Sequence, residues 1–540
     1  MSERKHSHST EATDTPSEIS QEGRHASKSE AGIRGGIKRG GLFLLIIAIL
    51  CVAIYVASLV FSSGANPIKN LVESNLSEES ATVGVAQIPD SLDVFTTSDD
   101  AREQLLVGNV YEGLTSRDND NKAAAGLAAS WDVSKDALTY TFHLQSDEKF
   151  SNGDALTSED VVWSLQQTLE KKHTGYDQLK NLSGVSAIDD TTVEITLSSP
   201  NPNLLWVLGG RAGLVYDKTA NVDAQTSAIG SGPFTVKAFE AGKSMTLARN
   251  GTYWGEKSRL AQVRLKAYGT SDEALQAAQK GEIQGVIGLT AAQVNAVTAD
   301  KETPLTVVTG DTTTRVVLVF NSDASSILSD KRYRQALRMG LDRDQVISAS
   351  GHLGEKIGGP IPLLDPGYED LTGLFPTNVA ESVRTRSYFR TRNLTLVYPS
   401  TISDAIAQSV ASQYQAEGLQ ITVTKLSPEE WEQQVKEQHS FDLTLDIHSA
   451  SHNVEEWFNG QNWWTFDSPA ADALYQEAMG ATTDAEYQGK LSQAAKVLSQ
   501  EAPADWIYTE KISAAWGNDM SGMPTNMLNT HLPLAGLEKK

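Results

Sequence analysis

The chain has 540 residues, 40% of them hydrophobic and 7% aromatic, with 68 acidic side chains against 45 Lys and Arg and a net charge of -23. That length implies two or three domains with a substantial core. The acid excess argues against a nucleic-acid partner, because phosphate binding needs a basic face. The single cysteine, Cys51, excludes an intrachain disulfide and a cysteine-based zinc site.

Residues 1–41 are rich in Ser, Thr, Glu and Gly and poor in apolar side chains. They are expected to form a disordered cytoplasmic tail, because they cannot bury enough surface to offset chain entropy. Residues 42–61, LFLLIIAILCVAIYVASLVF, carry no charge and have the length of a membrane-spanning helix. Lys38 and Arg39 precede the run, and Lys69 and then Glu73, Glu78 and Glu79 follow it. This asymmetry puts the N-terminus in the cytoplasm and the main body outside, on a single-pass anchor. Two alternatives stay open: a cleaved signal ending near Ser63-Gly64-Ala65, and a lipidated Cys51, although Leu50 is large for a residue preceding a lipid-bearing cysteine. Residues 62–80 read as a linker.

In the external body, Ala81–Ala86 is a strand candidate and Asp100–Leu106 a helix. Leu138–Leu144 and Thr191–Leu197 alternate with strand periodicity. Thr157 and Ser158 precede Glu159 and Asp160 and then an apolar run, the signature of a capped amphipathic helix. Ser231-Gly232-Pro233-Phe234 turns into a strand that pairs with Ser244–Arg249. Asp272–Lys280 is helical and stops at Gly281. Arg315–Phe320 is a buried strand, and Lys331–Leu341 is a helix. Three strands, Asn393–Tyr398, Gln420–Lys425 and Phe441–Asp446, alternate with helices at Ser403–Glu417 and Pro428–Glu437. This is an α/β layout. Gly242-Lys243-Ser244 is not a phosphate loop, since Lys237 stands where its first glycine would be and the context is strand-to-strand.

Several of these segments carry an ordered set of motifs: YEGL (111–114), LAASW (127–131), TYTFHL (139–144), FSNGDALTSEDVVWSL from Phe150, SGPF (231–234), RNGTYWG (249–255), KGEI (280–283), KRYRQALRMGLDRDQVI (331–347) and GGPIP (358–362). The set resembles the large extracellular solute-binding proteins of family 5, the peptide- and nickel-binding components of ABC importers. The resemblance implies a periplasmic-binding-protein-like two-lobe fold of class II, cluster C type, with an extra subdomain, here preceded by one transmembrane helix. One lobe would comprise 81–109, 215–314 and 505–540. The extra subdomain would be 110–214, and the other lobe 315–504. A peptide or other small solute would bind between the lobes, and ABC permease and ATPase subunits would be separate chains. A monomer without cofactor is expected.

In peptide-binding members a loop after a strand carries a Trp and, three residues later, an Asp that pairs with the ligand's amine. The matching run here is Asp446-Ile447-His448-Ser449-Ala450-Ser451-His452, with Ile447 at the Trp position and Ala450 at the Asp position. Asp446 and Glu455 are the nearest acids that could compensate for a buried ammonium. The resemblance also points to Tyr111 and Asn321 near ligand, and to Ser449, His448 and Trp457 around the loop. His448 and His452 stand four apart and could share a helical face as metal ligands, against the plainer reading of two polar loop histidines. Three functions follow: the peptide-capturing component of an importer, a cell-envelope scaffold on the same fold that no longer transports, or a binder of a metal chelate. No nucleophile elbow or zinc-binding His-Glu motif suggests an enzyme.

Overall fold

The computed structural model describes residues 79–540, except 98, 391, 392, 461 and 529. The tail at 1–41, the apolar run at 42–61 and nearly all of the linker lie outside the described residues. Among the described residues, no helix is long and apolar enough to cross a membrane.

The strands in chain order begin with β1 (Ser80–Val85), followed by a short hairpin of β2 (Thr115–Arg117) and β3 (Ala123–Ala125). β4 (Ala128–Val133), β5 (Thr139–Leu144), β6 (Leu182–Asp189) and β7 (Thr192–Leu197) form a separate antiparallel sheet in the order β4-β5-β7-β6. In β5, residues 140, 142 and 144 are buried while 139, 141 and 143 are half-buried, the two-residue period read from the sequence. Helix Ser158–Lys171 begins with Asp160 Oδ2 accepting from both the Thr157 amide and hydroxyl, each at 2.9 Å. Its Val161 and Leu165 enter the core of this sheet.

The remaining strands are β8 (Phe234–Glu240), β9 (Ser244–Arg249), β10 (Gln262–Ala267), β11 (Gly285–Ile287), β12 (Leu305–Phe320), β13 (Leu353–Lys356), β14 (Asn393–Pro399), β15 (Gln420–Leu426), β16 (Leu443–His448) and β17 (Ala504–Gly517). With β1 they build one sheet in the order β15-β14-β16-β12-β17-β11-β1-β10-β9-β8, and β13 pairs beside β17. The β1–β10, β1–β11, β14–β15 and β14–β16 pairs are parallel.

Two long neighbours, β12 and β17, run through both lobes. Their pairing holds from Leu305↔Gly517 to Asp311↔Lys511, shifts across 312–314, and resumes at Arg315↔Thr509. A bulge bends and twists a strand pair locally, so the lobes are joined at a built-in bend. Thr312 Oγ1 donates to Glu510 O at 2.6 Å there, and Lys511 pairs with Asp311 at 2.6 Å. Gly310 is needed just before the bend: a Cβ would lie 1.7 Å from Thr525 O.

Beyond the bend, β12 alternates between two cores. Val316, Leu318 and Phe320 join the helices of one face, while Val317 and Val319 join Trp457, Trp464 and Trp506 on the other. Each such fully buried side chain contributes about 1.5–3 kcal/mol. On the other side of the bend, β1, β9 and β10 pack Val83, Leu247 and Leu265 with Trp516 of β17.

Candidate functional site

Loops and helix starts from the small sheet meet loops of the β14–β16 lobe beside the bend. The β2–β3 hairpin turns tightly, with Asn121 N bonding Asp118 O at 3.0 Å and Asn121 held at φ +62°. Helix Leu204–Leu208 presents Trp206, with Asn203 immediately before it. Facing them, a turn closes from Asp365 N to Pro362 O at 3.0 Å and presents the Asp365 carboxylate. The chain leaving β16 brings Ser451 and His452, the latter at φ +52°. Helix Asp484–Glu501 adds Tyr487.

These groups interlock. Asn121 Nδ2 donates to Ser451 Oγ at 2.7 Å and to Asp365 Oδ1 at 3.1 Å. Ser451 Oγ donates to Asp365 Oδ1 at 2.5 Å, and the His452 amide to Asp365 Oδ2 at 2.8 Å. Trp206 Nε1 donates to Asn121 Oδ1 at 2.9 Å. Asn203 Oδ1 accepts from Tyr487 OH at 2.9 Å and lies 3.0 Å from His452 Nδ1. The His452 ring stacks on Trp206 at 4.2 Å and 9°, and the Arg117 guanidinium covers Trp206 at 3.5 Å.

Cavities flank this contact. One of about 1000 Å³ reaches from the hairpin tip and Trp206 to Asp365, Tyr368 and Tyr487, and touches Asp311 at the bend and Asn526. Another of about 560 Å³ shares Asn203, Trp206 and His452 and is bordered by Asp177, Lys180, Glu455 and Tyr475. A hollow of about 910 Å³ lies near Gln87, Lys243 and Arg264. Its lining comes from residues 86–99 and 240–269 alone.

A chain of charges lies behind the loop. His448 Nδ1 is 2.5 Å from Glu456 Oε1, and Nε2 is 3.2 Å from Asp446 Oδ2 without the alignment of a hydrogen bond. Burial alone would lower the His448 pKa, but the two carboxylates override it and raise it to about 9. Glu456 is held below its ordinary value: burial opposes this, and the contact with His448 and the charge of Arg315 outweigh it. Arg315 is fully buried, donates from Nη2 to Ala450 O at 3.1 Å and stands 4.0 Å from Asp365. Burial and nearby Arg117 take His452 down to about 4 against the pull of Asp365, so its ring is neutral at neutral pH.

Of the sequence-predicted residues, Asp446, Ile447 and His448 lie within β16, which runs two residues further than expected. Asp446 Oδ1 accepts from the Ile447 amide at 2.8 Å, and Ile447 is 37% exposed. Ser449 O accepts from Thr313 Oγ1 at 3.1 Å, tying the loop to the bend. Trp457 is buried beside His448, Trp464 and Trp506. Asn321 brackets a turn, its Nδ2 donating to His439 O and Phe441 O and its Oδ1 accepting from the Asp323 amide. Tyr111 packs in the β1 core 5.4 Å from Tyr216. His448 and His452 do not share a helical face: one ends a strand and the other sits in a left-handed turn, and their rings take different partners. Asn121, Asn203, Trp206, Asp365 and Tyr487 were not foreseen; the closest signal is the Asp365-Pro366-Gly367 turn after GGPIP.

A family model described as bacterial extracellular solute-binding proteins, family 5 Middle, matches residues 122–469. Among curated relatives, the probable D,D-dipeptide-binding periplasmic protein DdpA of Escherichia coli (strain K12) is 22% identical, over 82% of this chain and 91% of the relative. The periplasmic oligopeptide-binding protein OppA of the same organism is 24% identical, over 78% and 86%. Among solved structures, the ABC transporter substrate-binding protein CtaP of Listeria monocytogenes matches with a TM-score of 0.75 at 21% identity, covering 85% of this chain and 99% of that one.

Proposed function

Because the chain belongs to the bacterial extracellular solute-binding proteins of family 5, we propose that it captures a peptide or peptide-like solute for an ABC importer. The observation that carries this reading is the cavity of about 1000 Å³, walled from both lobes and the small sheet and touching the bend at Asp311. Its size suits a small-molecule or short-peptide ligand. Trp131, Trp206, Tyr368 and Tyr487 supply apolar and stacking surface. Asp120, Asp311 and Asp365 on the wall already face Lys122, Lys511 and Arg315, so Asp484, which forms no ion pair among the described residues, is the wall acid open to an ammonium or guanidinium group. Bending at 312–314 opens the cleft, and a solute that binds the closed form better closes it.

The proposal includes the lobe boundaries 81–109, 215–314 and 505–540, and 315–504, with 110–214 as the extra subdomain. It also includes an extracytoplasmic body on the 42–61 anchor, and separate permease and ATPase chains that receive solute from a monomeric binder without catalysis. Thermal unfolding against a library of di- to nonapeptides tests it. A true ligand at about 100 times its Kd stabilises by ~2.7 kcal/mol. No shift with any peptide overturns peptide capture.

The contact of Asn121, Trp206, Asp365 and His452 across the cleft favours one second reading, an envelope scaffold that holds the closed form permanently. In that case the protein shows no solute-dependent shift of any kind.

A further inference from the structure

We infer that the cleft carries its own latch: the hairpin tip at Asn121 and the Asn203–Trp206 helix start grip Asp365, Ser451, His452 and Tyr487, and hold the lobes shut without solute. The inference rests on the two-lobe fold and not on the identity of any solute.

Three features set this contact apart from ordinary loop packing. First, its polar groups are bonded across the gap, all but His452 Nε2. Asn121 uses its amide nitrogen on Asp365 and Ser451 and its oxygen on Trp206. The Asp365 carboxylate takes Asn121 from one side and Ser451 and the His452 amide from the other. Buried groups with partners this complete are costly to separate unless water or ligand replaces every bond.

Second, the aromatic stack continues the same contact. Arg117, Trp206 and His452 form three layers, with the neutral His452 ring against the indole and the guanidinium on its far face. Third, both gripping residues are non-glycine residues in the left-handed region, Asn121 at φ +62° and His452 at φ +52°. Asn and His adopt this region more readily than most side chains, and here the two positions meet across one interface.

The latch also divides the cleft, since Asn203, Trp206 and His452 border both the larger and the smaller cavity. Solute reaches its place only from the unlatched form. If that form is a fraction f of the protein, the association rate is the unlatched form's rate multiplied by f, and weakening the latch speeds association.

The test measures a distance between spin labels in the full chain without solute. Labels go on Ala187→Cys in β6 and Ala416→Cys at the end of helix Asp404–Ala416, both exposed, in a Cys51→Ser background. The parent is expected to give one narrow distance. Asn121→Gly and His452→Gly keep the left-handed backbone while deleting the gripping side chains, and each is expected to shift most spins to a longer distance. Asn203→Ala, which removes the acceptor shared by Tyr487 and His452, gives the same shift should either glycine variant fail to fold. A parent already broad and long overturns the latch without any variant, as does a folded variant that keeps the parent distribution. Failure here leaves solute capture standing; a narrow parent distance in a protein that ignores every peptide keeps the latch and removes the proposed function.

Discussion

His448 is expected to act as a fixed cation whose loss with rising pH weakens the lobe around β16. Its pKa is raised to about 9 because two carboxylates, Asp446 and Glu456, outweigh the opposing effect of burial. An unfolded histidine titrates near 6.5. A raised folded pKa gives stability that is fully present below about 6.5 and lost as pH climbs through about 9. The separation of about 2.5 units corresponds to ~3 kcal/mol. On this basis ~3 kcal/mol remains at about pH 6, and less than ~0.5 kcal/mol at about pH 9. Histidine-selective NMR follows the titration directly, with the His448→Gln spectrum identifying the resonance. Urea unfolding of parent and His448→Gln at pH 6 and pH 9 follows the stability. Glu112 and Glu148 also have raised values, about 7 and about 9, and weaken the fold as pH rises from about 4.5 up to those values. They are common to both proteins and cancel in the difference. The gap between parent and variant should be wide at pH 6 and nearly closed at pH 9. An equal gap at both pH values, or a His448 resonance titrating near 6.5, refutes the reasoning.

Asp505 is fully buried, with Arg343 Nη2 at 2.7 Å and Arg338 Nε at 3.4 Å, both guanidinium groups also inside the protein. Asp505→Ala strands two buried cations and should cost about 3–5 kcal/mol in urea unfolding; a loss below about 1 kcal/mol would show that water reaches the pair. Glu148 is buried with neither carboxylate oxygen bonded to a described residue, and burial, then the nearby Glu112 charge, raises its pKa to about 9. Glu148→Gln should therefore raise stability at pH 7, by up to ~3 kcal/mol, because the parent carboxyl must take up a proton to fold at that pH, and should flatten the decline that begins above about pH 4.5. A large loss at pH 7 would mean that the carboxylate is ionised and partnered.

Much of the fold was legible because local pattern and tertiary demand agree. TYTFHL alternates and becomes β5, and Asp100–Leu106 forms the helix its residues indicate, with Asp99 accepting from the Arg102 amide at 2.7 Å. The hinge strands were less legible. Arg315–Phe320 stands out as apolar, yet β12 begins at Leu305, because the polar stretch at 310–314 carries no apolar alternation and pairing with β17 draws it into the sheet. The helix expected over Pro428–Glu437 is present over that range, α-helical to Trp431 and widened into a π-helix over Glu432–Glu437. The site was the least legible part. Asn121 meets Ser451 across 330 residues and Asp365 across 244, and no local period encodes contacts of that range. The loop at Asp446–His452 could be picked out from its place after a strand, but the groups it meets could not.

Ala450 leaves the loop without an acid at that position, and the surrounding charges show why the loop needs none of its own. Asp446 and Glu456 hold His448, whose side chain is 8% exposed and charged at neutral pH. Arg315 lies between Glu456 and Asp365, and Ala450 itself contributes a carbonyl to that guanidinium. An additional carboxylate at 450 would join an array whose acids already have cations to balance. An incoming ammonium would have to displace Arg315 or His448 to use these acids, at a cost of several kcal/mol for each cation left buried and unpaired. Glu455 differs: it is exposed, borders the smaller cavity and forms no ion pair among the described residues. The acids behind the loop therefore serve to hold its shape, whereas a carboxylate on the cavity wall such as Glu455 can gain a partner without another charge losing one.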